Sequence, residues 1–368
     1  MLLGLCSCAN HGTDTSQSAV IQIADTITHH AEYLDIYDSV DGTTFIDIKD
    51  PWNDGNFLGR YALVNKDSTI PNNISDNYVI IRTPVERIAA YSAIHTQALD
   101  ELGAIGNLVA VADAIYFPST DTISALLRSG EIVDVGSSQA PSVEKLAMQR
   151  VDLVLRSPMQ GIIAPKLPST IVPIECADYL ETTPIGRAEW ILLLGEICDK
   201  RDVASQIFKN VEARYLSLCE RAKASSLSNP KVITEYEQSG IWYVPAGESY
   251  MARLLIDAGA EYPWENTSGS GSLPLSFEKV AEKAIDADIW LLRTFGYTPD
   301  THSLMAQNAK YRMFKAVKNN AVYGCDTSVK PLFNDLAFHP ELILADYVAI
   351  FHPDVMPGYE LRYFSKSK

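Results

Sequence analysis

The chain has 368 residues, enough for two or three domains, and its 47% hydrophobic and 21% charged content is ordinary for a soluble globular protein. Its formal net charge of −16 argues against nucleic-acid binding and against broad electrostatic contact with anionic lipid. The net charge does not identify a ligand, because the local field of a cleft can oppose it.

Residues 1–19 are interpreted as a lipoprotein signal and tether. The segment around Cys8 resembles a bacterial lipobox, with a small residue directly before the cysteine and Leu5 three positions before it. Cys8 would therefore carry the lipid, whereas Cys6 fits less well because a leucine precedes it. The segment is short for a signal peptide and lacks a basic region, so two incidental cysteines in an apolar tail are the alternative. No run in the chain approaches the ~20 apolar residues of a membrane span.

Residues 20–81 are predicted to form a β-meander that packs on the domain that follows. Four runs have the composition of strands, at 33–40, 43–48, 61–64 and 78–81. Asp41-Gly42 is a hairpin signal between the first two runs.

Residues 82–182 predict an α/β lobe, because strand and helix patterns alternate there. The predicted strands lie at 87–91, 108–111, 151–155 and 171–174, with helices from 92 to 102 and from 143 onward. Such alternation indicates a mostly parallel sheet that is covered on both faces.

Residues 183–229 predict a connecting helical segment with one long helix. Apolar residues recur at helical spacing from Val203 to Ala222, and no proline or glycine interrupts the chain from 202 to 226. A helix of roughly 25 residues would span about 37 Å, the size of a small domain. It could be a core helix of one large domain or a strut between two.

Residues 230–368 return to alternating strands and helices, and they repeat a phrase from the first lobe. The phrase begins at Glu144 as EKLAMQRVD and at Glu278 as EKVAEKAID. In each case a predicted strand follows and ends at an arginine, Arg156 or Arg293. Chance similarity of two such short phrases is the alternative, and the matching order of elements argues against it. The predicted fold class is therefore α/β, with two Rossmann-like lobes joined by one long α-helix and an N-terminal β-rich extension.

Ligands of open α/β sheets bind outside the carboxyl ends of the strands, and these ends are aromatic and polar here. Besides the two arginines, the candidate ligand-binding residues are Tyr91, His95, Tyr116, Ser157, Met159, Trp242, Tyr243, Tyr250 and Tyr297. Aromatic side chains supply apolar area with few torsions, which suits a large ring-bearing ligand. Core packing of about half of them is the alternative; Trp242 and Tyr243 are the strongest candidates.

Arg156 and Arg293 are expected to approach the cleft from opposite lobes. A guanidinium group can bind carboxylate or catecholate oxygens through two parallel hydrogen bonds. A local ion pair with a carboxylate is the alternative for each arginine. A lone histidine such as His95 is more often a structural histidine that is satisfied within the core than a ligand.

Several segments, taken in order, resemble a known family. After the lipobox come RIAAYSAIHTQALDELGAIGNLVAVAD, EKLAMQRVDLVL, TPIGRAEWILLLGEI, WYVPAGESYMARLLIDAGAEYPW and HPELILADYVAIFHP. Together they are similar to the helical-backbone class of ABC-importer substrate-binding proteins, whose members carry ferric siderophores, haem or cobalamin. The resemblance covers about 83–355 and leaves 20–80 outside the common core.

The resemblance implies a periplasmic protein, anchored to a bacterial membrane by lipid, that delivers an iron chelate or a corrinoid to an ABC permease and its ATPase. It implies two lobes that move little, because a continuous helix resists bending. Members of the family dock on the permease through one glutamate from each lobe, and the matching positions are Glu144 and Glu278. A first-turn glutamate that interacts favourably with the helix dipole is the alternative for each. No catalytic residue, resident metal, cofactor or nucleic-acid partner is implied.

Other classes of function stay open. A Zn- or Mn-binding transport lipoprotein would need several histidines and acids in the cleft, where His95, Asp113 and His339 are the candidates. A surface lipoprotein without a transport role would bind a ligand but no permease. An enzyme would need a recognisable catalytic motif, and the sequence has no phosphate-binding loop, dinucleotide-binding fingerprint or HExxH.

Overall fold

The computed structural model describes residues 21–117, 122–297 and 300–367. The predicted lipidation site, Cys8, lies outside the described residues, as does the side chain of Tyr116. The described chain consists of an N-terminal sheet, a first α/β lobe, three connecting helices and a second α/β lobe.

The N-terminal sheet has five strands in the order of the sequence. They are β1 (Ile23–Thr26), β2 (Leu34–Ser39), β3 (Thr44–Lys49), β4 (Phe57–Asn65) and β5 (Val79–Thr83). The first four pair antiparallel, but β5 pairs with β4 in parallel. The predicted meander is therefore wrong at its last strand, because residues 66–78 form the longer crossover that a parallel pair requires.

The first lobe is built on a five-stranded sheet in which all pairs are parallel. Its elements are β6 (Ile88–Ala90), α1 (Ala93–Glu101), β7 (Leu108–Val111), α2 (Thr122–Ser129), β8 (Val133–Asp134), α3 (Val143–Met148), β9 (Leu153–Arg156) and β10 (Val172–Glu175). The strand order is β10-β9-β6-β7-β8. The central strands are buried on both faces, which is typical of a parallel sheet between helices.

Three helices connect the lobes, α4 (Pro184–Glu189), α5 (Ile191–Ile197) and α6 (Arg201–Lys223). The long helix α6 has 23 residues and spans about 34 Å. Phe208 and Val211 in its first half belong to the core of the first lobe, whereas Tyr215 and Ala222 belong to the core of the second. The helix is therefore a strut between two lobes.

The second lobe has a main sheet in the order β11-β15-β16-β17 and a small antiparallel sheet in the order β12-β13-β14. The first pairs of the main sheet are parallel and its last strand is antiparallel. Its elements are β11 (Val232–Thr234), β12 (Glu237–Gln238), β13 (Ile241–Pro245), α7 (Tyr250–Asp257), β14 (Ser272–Leu275), α8 (Phe277–Ala284), β15 (Ile289–Thr294), α9 (Thr301–Gln307), α10 (Lys315–Lys318), β16 (Val322–Asp326), α11 (Leu332–Phe338), α12 (Pro340–Phe351) and β17 (Ser365–Lys366). The predicted fold class of two Rossmann-like lobes and a long helix is confirmed.

The N-terminal sheet shares its hydrophobic core with the first lobe. Ile36, Ile46 and Tyr61 of the sheet belong to the same buried cluster as Leu153 and Leu155 of β9. Separating the sheet from the lobe would expose this apolar surface to water, so the N-terminal sheet is an integral part of the first half of the molecule.

Two buried carboxylates also tie the N-terminal sheet to the connecting helices. Glu189 of α4 is fully buried and accepts hydrogen bonds from the backbone N–H groups of residues 29–31, each at 2.8 Å. Glu181 accepts from the N–H groups of residues 32 and 33 and from the indole of Trp190. The loop between β1 and β2 therefore depends on these two side chains for its hydrogen bonds.

The lobes are also joined by an ionised cluster around His339, which lies between α11 and α12. Its Nε2 is 2.7 Å from Glu101 of the first lobe, and its Nδ1 is 3.2 Å from Glu341. Burial lowers the pKa of His339, but the hydrogen bonds and charges of Glu101 and Glu341 outweigh it and raise the pKa to about 10. Arg214, Arg362 and Asp335 line the same recess.

Because His339 holds its proton more tightly in the folded protein than in the unfolded chain, it stabilises the fold fully below the unfolded pKa of about 6.5. That contribution is lost as the pH rises through about 10. We expect His339→Gln to lower the free energy of unfolding by about 1–3 kcal/mol at pH 6 and by much less at pH 10. Urea unfolding at both values measures this, with the exposed His302→Gln as control. An equal loss at the two pH values would contradict it.

Candidate functional site

Two adjoining recesses lie where the lobes meet, at the carboxyl ends of the parallel strands. The first-lobe recess, of about 310 Å³, contains Arg156 and Pro158, and the second-lobe recess, of about 350 Å³, contains Arg293. Tyr179 lines the second-lobe recess, and its hydroxyl donates a hydrogen bond to the carbonyl of Pro158 in the first. The two recesses therefore adjoin, and together they are called the cleft.

The first-lobe recess is organised around an arginine–glutamate pair. Arg156 ends β9 and lies directly opposite Glu175 of β10 in the parallel register. Its Nε and Nη2 atoms donate to Glu175 Oε1 at 2.7 and 2.5 Å, and its Nη1 donates to the carbonyl of Pro165 at 3.1 Å. Arg156 reaches the recess as predicted, but its charge is balanced by the carboxylate beside it.

Two polar atoms of this recess are buried without a hydrogen-bond partner among the described residues. They are the second carboxylate oxygen of Glu175, Oε2, and the hydroxyl of Tyr91. Burial raises the pKa of Tyr91 to about 12, although the nearby charge of Arg156 opposes the rise, so the hydroxyl is protonated at neutral pH. Since buried polar groups are normally paired, these atoms are suited to hydrogen bonds with a bound molecule.

The second-lobe recess repeats the arginine–glutamate pair. Arg293 of β15 donates through Nε to Glu235 Oε1 at 2.6 Å, and its Nη2 donates to the same oxygen. Glu235 follows β11, the neighbouring strand, with a backbone φ of +62°, a left-handed conformation that is uncommon for a residue other than glycine. Tyr236, the next residue, shares a hydrogen bond of 3.2 Å with Tyr297.

A third ion pair completes the charges around the cleft. Arg187 of α4 lies with its guanidinium 5.4 Å from the ring centre of Tyr250 and donates to Asp178 at 3.2 Å. Asp178 is fully buried and is also 3.1 Å from His95 Nε2. Burial raises the pKa of Asp178, but the hydrogen bond with His95 and the charge of Arg187 outweigh it and lower the pKa. Among the described lining residues, every charged side chain is thus paired with an opposite charge.

The structure corrects the prediction for Trp242. This residue is 0% exposed and stacks on Trp290 in the core of the second lobe, with ring centres 5.3 Å apart. Its indole donates to the carbonyl of Thr234. Successive residues of a strand point to opposite faces, so only its neighbour Tyr243, which is 47% exposed, lines the recess.

His95, a candidate ligand-binding residue with a structural role as the alternative, is 2% exposed and faces Asp178 rather than the open cleft. Tyr297 is 37% exposed and reaches the site through its contact with Tyr236. The predicted residues that do line the two recesses are Tyr91, Arg156, Ser157, Met159, Tyr243, Tyr250 and Arg293. Each half of the cleft therefore contains residues that were predicted because they lie at or after the carboxyl end of a strand.

Several lining residues escaped the sequence prediction. Glu175 and Glu235 directly end or follow strands, so the rule that selected the arginines could have found them. Tyr179, Arg187 and Trp52 carry no such signal, because they lie in a short helical turn, a connecting helix and a turn of the N-terminal sheet. Only the tertiary structure brings them to the cleft.

The residues considered for a metal site have separate partners. His95 faces Asp178, Asp113 accepts from the N–H of Ser138, and His339 lies between two glutamates. Within residues 21–117, 122–297 and 300–367, no group of three or more histidine, cysteine or acidic side chains is arranged to hold a metal ion. No helix in these same ranges is long and apolar enough to cross a bilayer.

The two glutamates of the repeated phrase occupy equivalent positions. Glu144 lies in the first turn of α3, whose N-cap Ser142 accepts from the N–H of Lys145. Glu278 lies in the first turn of α8, whose N-cap Ser276 accepts from the N–H of Lys279. Both glutamates are exposed, and Glu278 is only loosely paired, 3.7 Å from Lys310 Nζ. Each lobe therefore presents one accessible carboxylate from the same structural position.

Comparison with known proteins gives a consistent result. A family model described as periplasmic binding protein matches residues 88–329. An uncharacterized lipoprotein of Methanocaldococcus jannaschii is 26% identical over 322 residues, which cover 83% of this chain and 76% of the relative.

Solved structures resemble the fold at low sequence identity. A periplasmic heme-binding protein from Pseudomonas aeruginosa has a TM-score of 0.56 and 16% identity, with 77% of this chain and 98% of that chain covered. The periplasmic vitamin B12-binding protein BtuF of Vibrio cholerae has a TM-score of 0.53 and 16% identity, with 74% and 99% covered. At these identities the likeness concerns the fold.

Proposed function

The chain belongs to the periplasmic binding protein family, and we propose that it is the extracytoplasmic substrate-binding component of an ABC importer. In this proposal it captures an iron chelate, such as a siderophore or haem, or a corrinoid such as cobalamin. The observation that carries the proposal is the cleft itself, in which each lobe contributes an arginine–glutamate pair and aromatic side chains at its strand ends. Ligands of α/β sheets bind at such ends.

The lining of the cleft favours a large ligand with apolar faces and little net charge. Tyr179, Tyr243 and Tyr250 supply aromatic surface, which suits rings or extended apolar groups. A strongly acidic chelate would need unpaired cations, whereas Arg156 and Arg293 already face glutamates. These contacts support a corrinoid or an uncharged iron chelate over a polyanionic one. The heme- and vitamin B12-binding proteins of similar fold support a ring-bearing ligand as well.

The proposed partners follow from the family and from the exposed surface. Glu144 and Glu278, one on each lobe, are suited to dock on basic pockets of an ABC permease and its ATPase complex. We place the protein in the periplasm, anchored to the membrane by a lipid on Cys8. The similarity to an archaeal lipoprotein supports this anchor.

Calorimetric titration with cyanocobalamin, haemin, ferrichrome and ferric enterobactin tests the proposed function. We expect saturable binding of at least one probe at one site per chain. Tyr243→Ala should weaken that binding by roughly tenfold, because it removes an exposed ring from the second-lobe recess. Phe295→Ala is the control, since Phe295 is a 79% exposed aromatic residue of the same lobe that does not line the recess.

The titration, combined with thermal-shift, product and uptake measurements on the same probes, separates the alternatives. Binding of none of the four probes, together with a thermal shift on adding Zn²⁺ or Mn²⁺, would reject the proposal in favour of metal transport. Chemical conversion of a bound probe would favour an enzyme. Binding without any effect on uptake would favour a surface lipoprotein that has no transport role.

A further inference from the structure

One wall of the first-lobe recess comes from outside the family's common region. Trp52, in the connection between β3 and β4, and Leu58, the second residue of β4, line this recess together with Tyr91 and Arg156. The family model begins only at residue 88, so these two side chains belong to the N-terminal sheet that precedes it. The N-terminal sheet therefore contributes directly to the surface of the cleft.

The turn that carries Trp52 is held in one conformation by its own hydrogen bonds. The carboxylate of Asp50 accepts from the N–H of Trp52 at 2.9 Å and from the side-chain amide of Asn53 at 2.8 Å. The N–H of Asn56 donates to the carbonyl of Asn53, and Gly55 adopts a φ of +77°, which glycine reaches without strain. The indole is thus attached to an ordered turn, whose backbone has little entropy to lose on ligand binding.

The turn is also fixed relative to the arginine–glutamate pair of the first lobe. The hydroxyl of Tyr61 in β4 donates to the carbonyl of Pro173 in β10 at 2.7 Å, two residues before Glu175. A Cβ at Gly59 would overlap the ring of Tyr61 in the same strand, so glycine at this position leaves room for the ring whose hydroxyl reaches Pro173. Leu58 lies three residues before Tyr61 in the same strand, and its side chain lines the recess together with Trp52.

Trp52 differs in exposure from the other tryptophans of the chain. The remaining four are nearly or fully buried: Trp190, Trp242, Trp264 and Trp290 are each at most 4% exposed. Trp52 is partly exposed although its indole offers a large apolar face, and it lines a recess whose Glu175 and Tyr91 have unpaired buried atoms. An apolar face beside unpaired polar atoms matches a ligand that combines a ring or chain with a hydrogen-bonding arm.

We propose that Trp52 is a specificity-determining residue of the cleft. Its indole packs against an apolar face of the ligand, while an uncharged donor group of the same ligand, an amide or a hydroxyl, binds Glu175 Oε2 and the hydroxyl of Tyr91. An amide or hydroxyl group supplies the hydrogen that the carboxylate oxygen lacks without adding charge to a neutralised pair. This inference rests on the proposed function. It assigns part of the ligand specificity of the cleft to a segment that the family model does not include.

The test compares Trp52→Ala, Trp52→Phe and Phe57→Ala in calorimetric titrations with cyanocobalamin, haemin, ferrichrome and ferric enterobactin. For the probe that binds the unchanged protein, we expect Trp52→Ala to raise Kd roughly 30-fold and Trp52→Phe to restore part of the loss. Phe57 is the matched control, because it is a 43% exposed aromatic residue at the start of β4, next to Leu58, that does not line the recess. Its variant should change Kd less than about twofold. Thermal unfolding of all three variants verifies that they are folded.

The outcomes distinguish this inference from the proposed function. Binding to the unchanged protein with the same Kd in Trp52→Ala would reject the role of Trp52 and leave the proposed function intact. An equal loss in Trp52→Ala and Phe57→Ala would also reject it, because the effect would then come from the segment between β3 and β4 and the start of β4 as a whole. Failure of the unchanged protein to bind any of the four probes would reject the proposed function, and this inference with it.

Discussion

Reversing the charge at both Glu144 and Glu278 is expected to reduce uptake at least roughly 100-fold while leaving ligand affinity unchanged. The two carboxylates are exposed at equivalent helix starts on the two lobes, whereas the recesses are lined by other residues. Two lysines in their place would be repelled by basic pockets of a permease, and like charges opposed across an interface cost several kcal/mol. The single variants, Glu144→Lys and Glu278→Lys, should each lose part of the uptake.

The measurement pairs cellular uptake of the probe that binds in titration with its calorimetric Kd. A matched control carries Glu131→Lys and Glu282→Lys, which make the same change in net charge at exposed positions, one of them a turn further along α8. Normal uptake by the Glu144/Glu278 double variant would rule out these glutamates as the docking points. A parallel loss of uptake in the control would show a general effect of charge.

Glu189→Ala is expected to destabilise the protein by roughly 3–5 kcal/mol. The carboxylate is fully buried, and its removal leaves the backbone N–H groups of residues 29–31 without their acceptor. These groups lie in the loop that holds the N-terminal sheet against α4, so the variant should loosen the sheet from the first lobe. Urea unfolding followed by circular dichroism gives the free energy of unfolding directly.

Glu212→Ala is the matched control for this prediction. Glu212 bonds His30 of the same loop, but through the side chain and at a site where both groups are about one-third exposed. An exposed pair of this kind contributes about 0–1 kcal/mol, so the control should lose no more than that. A loss in Glu189→Ala as small as in the control would show that the loop does not depend on the buried carboxylate.

The sequence predicted the architecture well because its strongest signals are local. Apolar spacing along α6 and the alternation of strands and helices on either side of it depend on the period of each element, which neighbouring residues determine. The repeated phrase located Arg156 and Arg293 at equivalent strand ends, and both line the cleft. The parallel pairing of β4 with β5 was missed, because strand direction depends on the path of the connection rather than on the strand itself.

The sequence by itself determined the two lobes, the helix between them and seven of the residues that line the cleft. Only the tertiary structure decided which of two adjacent aromatic residues, Trp242 or Tyr243, faces the cleft, because that choice depends on which side of β13 the core lies. It also decided that the cleft arginines are neutralised by Glu175, at the end of β10, and by Glu235, directly after β11. Only the tertiary structure shows, finally, that Trp52 lines the recess, since no local pattern indicates that a turn of the N-terminal sheet reaches it.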